Sequence, residues 1–248
     1  MITVANPVPC RRCPLADCPG LRPHEPEEIP YIERFKQGEI RLERGELLLE
    51  QGATRGGLFT VLGGILMRSR SLEDGRRQIV NFMFPGDLIG LQNTFGEPAT
   101  HSVEALVPAR LCKFDAGRYY ELITAQPSLG YDITWLAATE ETALEGHLVA
   151  LGQRSARERV AYMAVWLLQR ARATSLTDGR NRLEVPITQT QIADMLGLSL
   201  VHTNRTIKAL EREGLVTWRQ GVIDVPDLDA AAQFAHFSPL PERRRPFL

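Results

Sequence analysis

Residues 188–225 limit the fold more than any other stretch of this chain. Ile192, Ala193 and Leu196 recur at the three- and four-residue steps of a short amphipathic helix. Gly197-Leu198 breaks that helix, and Ser199 stands where an N-cap belongs. A second helix is expected from there to about Glu213, ending at Gly214. Residues 215–225 then read as two strands around Gln220-Gly221. Helix, glycine turn, helix and hairpin in this order predict a winged helix-turn-helix, whose second helix enters the major groove of DNA.

The second helix divides into two faces. Thr203, Ile207 and Leu210 are spaced to pack on the first helix, while Leu200, Val201, Asn204, Arg205 and Lys208 lie opposite. Arg205 can donate two hydrogen bonds to guanine N7 and O6, and Val201 offers a thymine methyl only an apolar contact. Asn204 suits a base or a phosphate, whereas His202 and Lys208 suit phosphates, with Ser199 at the helix start. A winged helix that meets only protein would leave Arg205 solvated. Charge argues against that. The whole chain of 248 residues carries a formal charge of −1, which excludes a uniformly basic coat. Residues 154–219 nevertheless hold eleven Lys and Arg against six Asp and Glu, and the remainder is acidic.

The N-terminal half reads differently. Short apolar runs at 47–49, 58–62, 65–72, 78–84, 101–107 and 110–114 are cut by glycines, and Asp74-Gly75 signals a hairpin. Val80, Phe82 and Phe84 alternate and so share one strand face. This is the pattern of a small β-barrel or jelly roll. A short helix is expected at 29–35. Asp115 caps another that runs to about Ala125, where Pro127 interrupts. From about 129 to 152, Ile133, Leu136, Ala137, Ala143, Leu144, His147 and Leu151 make a mostly apolar stripe. Such a helix between two domains pairs with its own copy or packs on its own barrel. Glu140, Glu141 and Glu145 on it would repel their symmetry mates. One more helix is expected at 156–173, then a polar loop to Arg182.

No apolar run approaches the ~20 residues that span a membrane. The first twenty residues hold Pro7, Pro9, Pro14 and Pro19 and no apolar core of a secretory signal, so a cytoplasmic location is expected. No phosphate loop, zinc-protease motif or nucleophile elbow is present, and His101 is the lone histidine of the roll, so an enzyme is not expected. The tail after Val225, with Pro239, Pro241 and Glu242, is expected to be disordered.

Three blocks, in order, resemble the CRP/FNR superfamily of bacterial transcription regulators: residues 63–78 with Asp74-Gly75, residues 84–90 with Pro85-Gly86-Asp87, and residues 192–199. The resemblance covers nearly all of residues 30–225. It implies an α+β chain: a jelly-roll β-barrel like the cyclic-nucleotide-binding domain, a long dimerisation helix and a C-terminal winged helix-turn-helix. The corresponding divisions are a Cys-rich segment 1–30, a roll 31–128, a dimerisation helix 129–154, a DNA-binding domain 155–226 and a tail 227–248. It implies a homodimer on a palindromic operator, contacting RNA polymerase as an activator, with Ile133, Leu136, Ala137, Glu140, Leu144, His147 and Leu151 as the dimerisation set. Cyclic nucleotide is not the expected ligand, because His101 stands where that branch places a phosphate-pairing arginine. Within the same class of regulator, the alternative is a member that is cofactor-free or gated by a small ligand, with His101 and Phe84 lining an apolar pocket of the roll.

Cys10, Cys13, Cys18 and, far along the chain, Cys112 resemble the oxygen-sensing FNR branch, in which four thiolates hold a [4Fe-4S] cluster. The second gap is one residue shorter than in that branch. The cysteines alone also suit a zinc site of Cys10, Cys13, Cys18 and His24, a thiol switch between Cys10 and Cys13, or no cofactor. In the recognition helix, Val201 replaces a glutamate that the resembled regulators carry, which implies a different half-site preference.

Overall fold

Gly75 adopts a φ of 84° and closes the hairpin between β5 (Leu66–Ser71) and β6 (Arg77–Met83), as its Asp-Gly signal requires. The computed structural model describes residues 3–5, 8–54, 56–177, 180–238 and 243–248. Pro7, Pro239, Pro241 and Glu242 lie outside the described residues.

Two antiparallel sheets face each other. One orders β1 (Thr3–Ala5), β2 (Lys36–Leu42), β9 (Ala109–Phe114), β4 (Leu58–Gly63) and β7 (Leu88–Ile89). The other orders β3 (Leu47–Leu49), β8 (Ser102–Ala105), β5 and β6. Ile40, Val61, Leu66, Met83, Val103 and Leu111 fill the space between them. This is the expected roll, with one slip. Arg68 pairs with Asn81 and Ser69 with Ile79, leaving Val80 as the extra residue of a β-bulge. The bulge shifts the alternation by one position, so Ile79, not Val80, joins Phe82 and Phe84 on the outer face.

Four helices frame the roll. They are α1 (Ile29–Phe35), α2 (Tyr119–Ala125), α3 (Pro127–Gln153) and α4 (Ala156–Ala173). Asp115 accepts from the Gly117 amide at 3.0 Å before α2. Pro127 starts α3 rather than merely interrupting it, since a helix's first turn does not use the missing N–H. Ser155 and Glu158 form a reciprocal cap at the start of α4. The outer face of β5 and β6 and the buried hydrophobic residues of α4, from Val160 to Ala171, share one core with the rest of the C-terminal module, and Phe84 meets Trp166 edge to face at 5.9 Å.

The apolar stripe of α3 divides. Ile133, Leu136 and His147 are buried within their own chain, and Glu140 bonds Arg68 at 2.7 Å and Asn81 at 3.0 Å. These four are therefore not a free dimer face, and Glu140 is not available to repel a partner. Ala137 and Leu148 are exposed, Leu144 and Leu151 half-buried. One residue step turns a helix by ~100°, so Leu136 and Ala137 face different neighbours although both fit an apolar stripe.

With α4 as its first helix, the C-terminal module comprises β10 (Arg182–Glu184), α5 (Gln189–Leu196), α6 (Leu200–Arg212), β11 (Thr217–Arg219), β12 (Val222–Asp224) and α7 (Leu228–Phe234). The polar loop expected to reach Arg182 gives way to β10, which pairs with β12 and widens the hairpin to three strands. The tail departs most from expectation. Asp227 caps α7 by accepting from the Ala230 amide, and Ala231 and Ala235 are buried in the α4 core. Residues 243–248 are also packed down, with Phe247 and Leu248 buried. Too few apolar residues stand in sequence there to signal order. Their partners lie well back in the chain: α4 for α7, and the N-terminal segment with the roll for Phe247 and Leu248.

Candidate DNA interface and cysteine cavity

Thr188 accepts from the Gln191 amide while the Gln191 side chain returns to the Thr188 amide, fixing the start of α5. Gly197 takes the left-handed φ of 63° that the turn demands, and Ser199 caps α6 through the His202 amide. Thr203, Thr206, Ile207 and Leu210 face inward. Val201 is 70% exposed, and His202, Arg205 and Lys208 are exposed beside it. Asn204 is half-buried and its Nδ2 donates to Gln189 Oε1 at 3.0 Å, which aims the amide. The structure thus brings Val201, His202, Asn204, Arg205 and Lys208 to one side of α6, with Ser199 exposed at its start.

The wing adds what the sequence reading missed. Arg205, Lys208, Arg212 and Arg219 line one depression with Glu211, and Arg219 bonds Glu211. Gln220 and Gly221 both take positive φ, 50° and 77°, so the wing folds back and delivers Arg219 beside α6. Arg219 was legible only as a charge in a strand. Its meeting with Arg205 follows from the hairpin twist. Four cations on one concave face suit a polyanion.

At the other end, residues 10–12 and 14–17 form two 3₁₀ turns against the first sheet. Cys112 lies on β9 opposite Glu39 of β2 and Thr60 of β4. Cys10, Cys13 and Cys112 line one cavity of about 10 Å³, with His24, Lys36 and Glu39. Lys36 Nζ bonds Glu39 Oε1 at 2.8 Å. Burial pushes the Cys10 thiol up to about 11 and the Cys112 thiol to about 12, and raises Cys13 and Cys18 as well. These are protonated thiols at neutral pH. Burial likewise pushes His24 down to about 4.

Cys18 is the residue the structure does not bring in. Its Sγ points to the carbonyls of Thr174, at 3.7 Å, and Pro14, at 3.9 Å. Among the described residues, no group of three or more His, Cys, Asp or Glu is arranged to hold a metal ion. The donors therefore match a four-thiolate cluster in kind and not in arrangement. Cys18 would have to turn and the cavity to widen. The zinc set of Cys10, Cys13, Cys18 and His24 is likewise not gathered at one point among the described residues, because Cys18 does not line the cavity that the other three share.

A cleft of about 530 Å³ separates the roll from α3, lined by Arg68, Met83, His101, Leu136, Glu141 and Leu144 among others. Phe84, grouped with His101 in a ligand-gated reading of the roll, is not there. It follows Met83 on the strand and so faces the other way, against Trp166. Burial, with Arg68 and Arg70 nearby, pushes His101 down to about 4, so it brings no charge to the cleft at neutral pH.

Residues 39–126 match the Cyclic nucleotide-binding domain family, and residues 158–233 match the Crp-like helix-turn-helix domain family. The chain is 31% identical over 222 residues to the nitrogen fixation regulation protein FixK of Bradyrhizobium diazoefficiens, covering 88% of this chain and 90% of that one. It is 31% identical over 203 residues to the transcriptional activatory protein AadR of Rhodopseudomonas palustris, covering 82% and 81%. The transcriptional activator protein FnrL of Cereibacter sphaeroides is 26% identical over 84% of this chain and 83% of its own length. The solved structure of FixK2 from Bradyrhizobium japonicum superposes with a TM-score of 0.68 at 22% identity, covering 82% of this chain and 98% of that chain.

Proposed function

The chain belongs to the CRP/FNR family of DNA-binding transcription regulators, and from that premise we propose an oxygen- or redox-responsive activator whose sensor is the Cys10–Cys13–Cys18–Cys112 set. One observation carries the sensing part: residues a hundred positions apart, Cys10, Cys13 and Cys112, are folded onto one cavity. The finer reading is that the four thiols ligate a [4Fe-4S] cluster. Bound there, it would supply an oxygen-labile centre.

The protein's own residues supply the rest. Two copies join along the side of α3 that borders the cleft, through Ala137, Leu144 and Leu148, where Glu141 and Glu145 would face their symmetry mates and hold the dimer near balance. The two α6 helices then enter successive major grooves of a palindromic operator, about one turn apart. Arg205 reads guanine, Val201 meets an apolar base edge, and Lys208, Arg212 and Arg219 position the module on phosphates. RNA polymerase is the further partner.

The experiment is an absorption spectrum with iron and sulfide assays on protein purified without oxygen and then exposed to air. About four irons and four sulfides per chain, with a visible band that air bleaches, are expected. A colourless protein that takes up no cluster on reconstitution overturns the sensor assignment. Zinc in that protein would make the segment structural instead.

A further inference from the structure

The end of the chain lies on the cysteine cavity. Leu248 is one of the cavity's walls. Phe247 packs edge to face on His24, another wall, at 4.3 Å. Phe247 and Leu248 share a core with Leu15, Leu21, Ile32, Cys112 and Phe114, and Cys10, Cys13 and Cys18 pack against it.

Polar contacts hold this stretch in place. The Arg22 amide donates to the Arg245 carbonyl at 2.8 Å, and the Arg245 amide donates to the Gly20 carbonyl at 2.8 Å. Leu21 and Arg245 thereby form a parallel bridge. The Arg245 guanidinium is buried and meets Asp87 Oδ1 at 2.7 Å. Arg243 stacks over Trp135 of α3 at 5.6 Å. A terminal stretch with two backbone hydrogen bonds, a buried ion pair and two buried apolar side chains is a built contact, not a loose end.

We propose that residues 243–248 are a tethered lid on the thiol cavity, controlling access to Cys13 and Cys112. The lid is anchored by Arg245 on Asp87 and seated by Phe247 on His24. It needs no particular cofactor, and so stands apart from the cluster reading. Opening is a local event. It releases residues 20–24 from the tail and exposes the cavity without unfolding the roll.

The test measures N-ethylmaleimide labelling of each cysteine by mass spectrometry, on the full chain purified in air, reduced and free of iron by assay. Parent protein is compared with Phe247→Ala and with a chain lacking residues 243–248, each followed by thermal melting. Labelling of Cys13 and Cys112 is expected to rise about tenfold in both variants, and clearly more than that of Cys18, whose Sγ points to Thr174 and Pro14 rather than into the cavity. Unchanged rates at Cys13 and Cys112 overturn the proposal. So does an equal rise at all four cysteines, which would mean that the tail holds the fold rather than closing the cavity. If the shortened chain loses its cooperative melt, Phe247→Ala decides alone by the same rates.

Discussion

Asp87 and Arg170 form a buried ion pair, Oδ1 to Nη2 at 2.6 Å, that joins the β-roll to the first helix of the DNA-binding module. Asp87 follows a glycine turn in the Pro85-Gly86-Asp87 block, and its second oxygen accepts from the Phe84 amide at 2.7 Å. Arg245 completes the set from the chain's end. One carboxylate thus ties sensor domain, DNA module and tail together.

Asp87→Ala leaves two buried guanidinium groups without their counter-charge. A buried pair broken on one side typically loses about 3–5 kcal/mol. Urea unfolding should show a loss of that order, larger than for either arginine replaced alone. A loss below about 1 kcal/mol, the size of an exposed pair, would contradict the burial seen here.

The two faces of α3 should respond differently to substitution. Leu136→Ala removes a buried side chain and should cost about 2–5 kcal/mol within each protomer. Leu148→Asp, at a site 69% exposed, should leave the protomer's melt nearly unchanged and abolish the dimer. Sedimentation and thermal melting read the two effects separately. A Leu148→Asp protein that remains dimeric would exclude this face as the interface.

Arg205→Ala should remove operator preference, a loss of about 1–3 kcal/mol per half-site in discrimination. Val201→Glu should change the selected half-site sequence without weakening nonspecific binding. Binding-site selection compares them directly. Identical selected sites for Val201→Glu and parent would remove Val201 from the reading set. Affinity of the parent should fall steeply with salt, and the slope should shrink by about two on Arg219→Ala, one phosphate contact being lost from each protomer.

Stability should fall in acid. Burial, with Arg68 nearby, pushes His147 down to about 4 from its ordinary 6.5. Its contacts are Asn81 Oδ1 and the Tyr162 hydroxyl, both at 3.3 Å. The unfolded chain therefore binds the extra proton first. The contribution is complete above pH 6.5 and is lost as pH falls towards 4, with a slope of about 1.4 kcal/mol per pH unit for each such histidine. His101 behaves alike. Urea midpoints between pH 7.5 and 5 measure it, and His147→Gln should flatten the slope by roughly one proton.

Local signals account for what could be read early. Caps at Thr188 and Ser199, the αL glycine at 197 and the Asp74-Gly75 hairpin are each decided within a few residues, so the winged helix and the roll are written in adjacent letters. The inward and outward faces of α6 follow from helical period alone. Periodicity could not do the same for α3. Its two apolar faces look alike in sequence, and which of them meets the roll depends on how α3 docks.

A β-roll, a long helix and a DNA-reading module follow from the order of residues alone, because turns, caps and alternation act between near neighbours. The sequence also supplies four thiols. The packing of distant elements, in contrast, is what gathers Cys10, Cys13 and Cys112 on one cavity while Cys18 turns to Thr174. Only it placed Arg219 beside Arg205, shifted Val80 off its face by a bulge, and laid Phe247 on His24. Each of these joins residues far apart in the chain or hangs on a single register shift. Such contacts form because the assembled core buries them together, and no window of neighbouring residues carries that information.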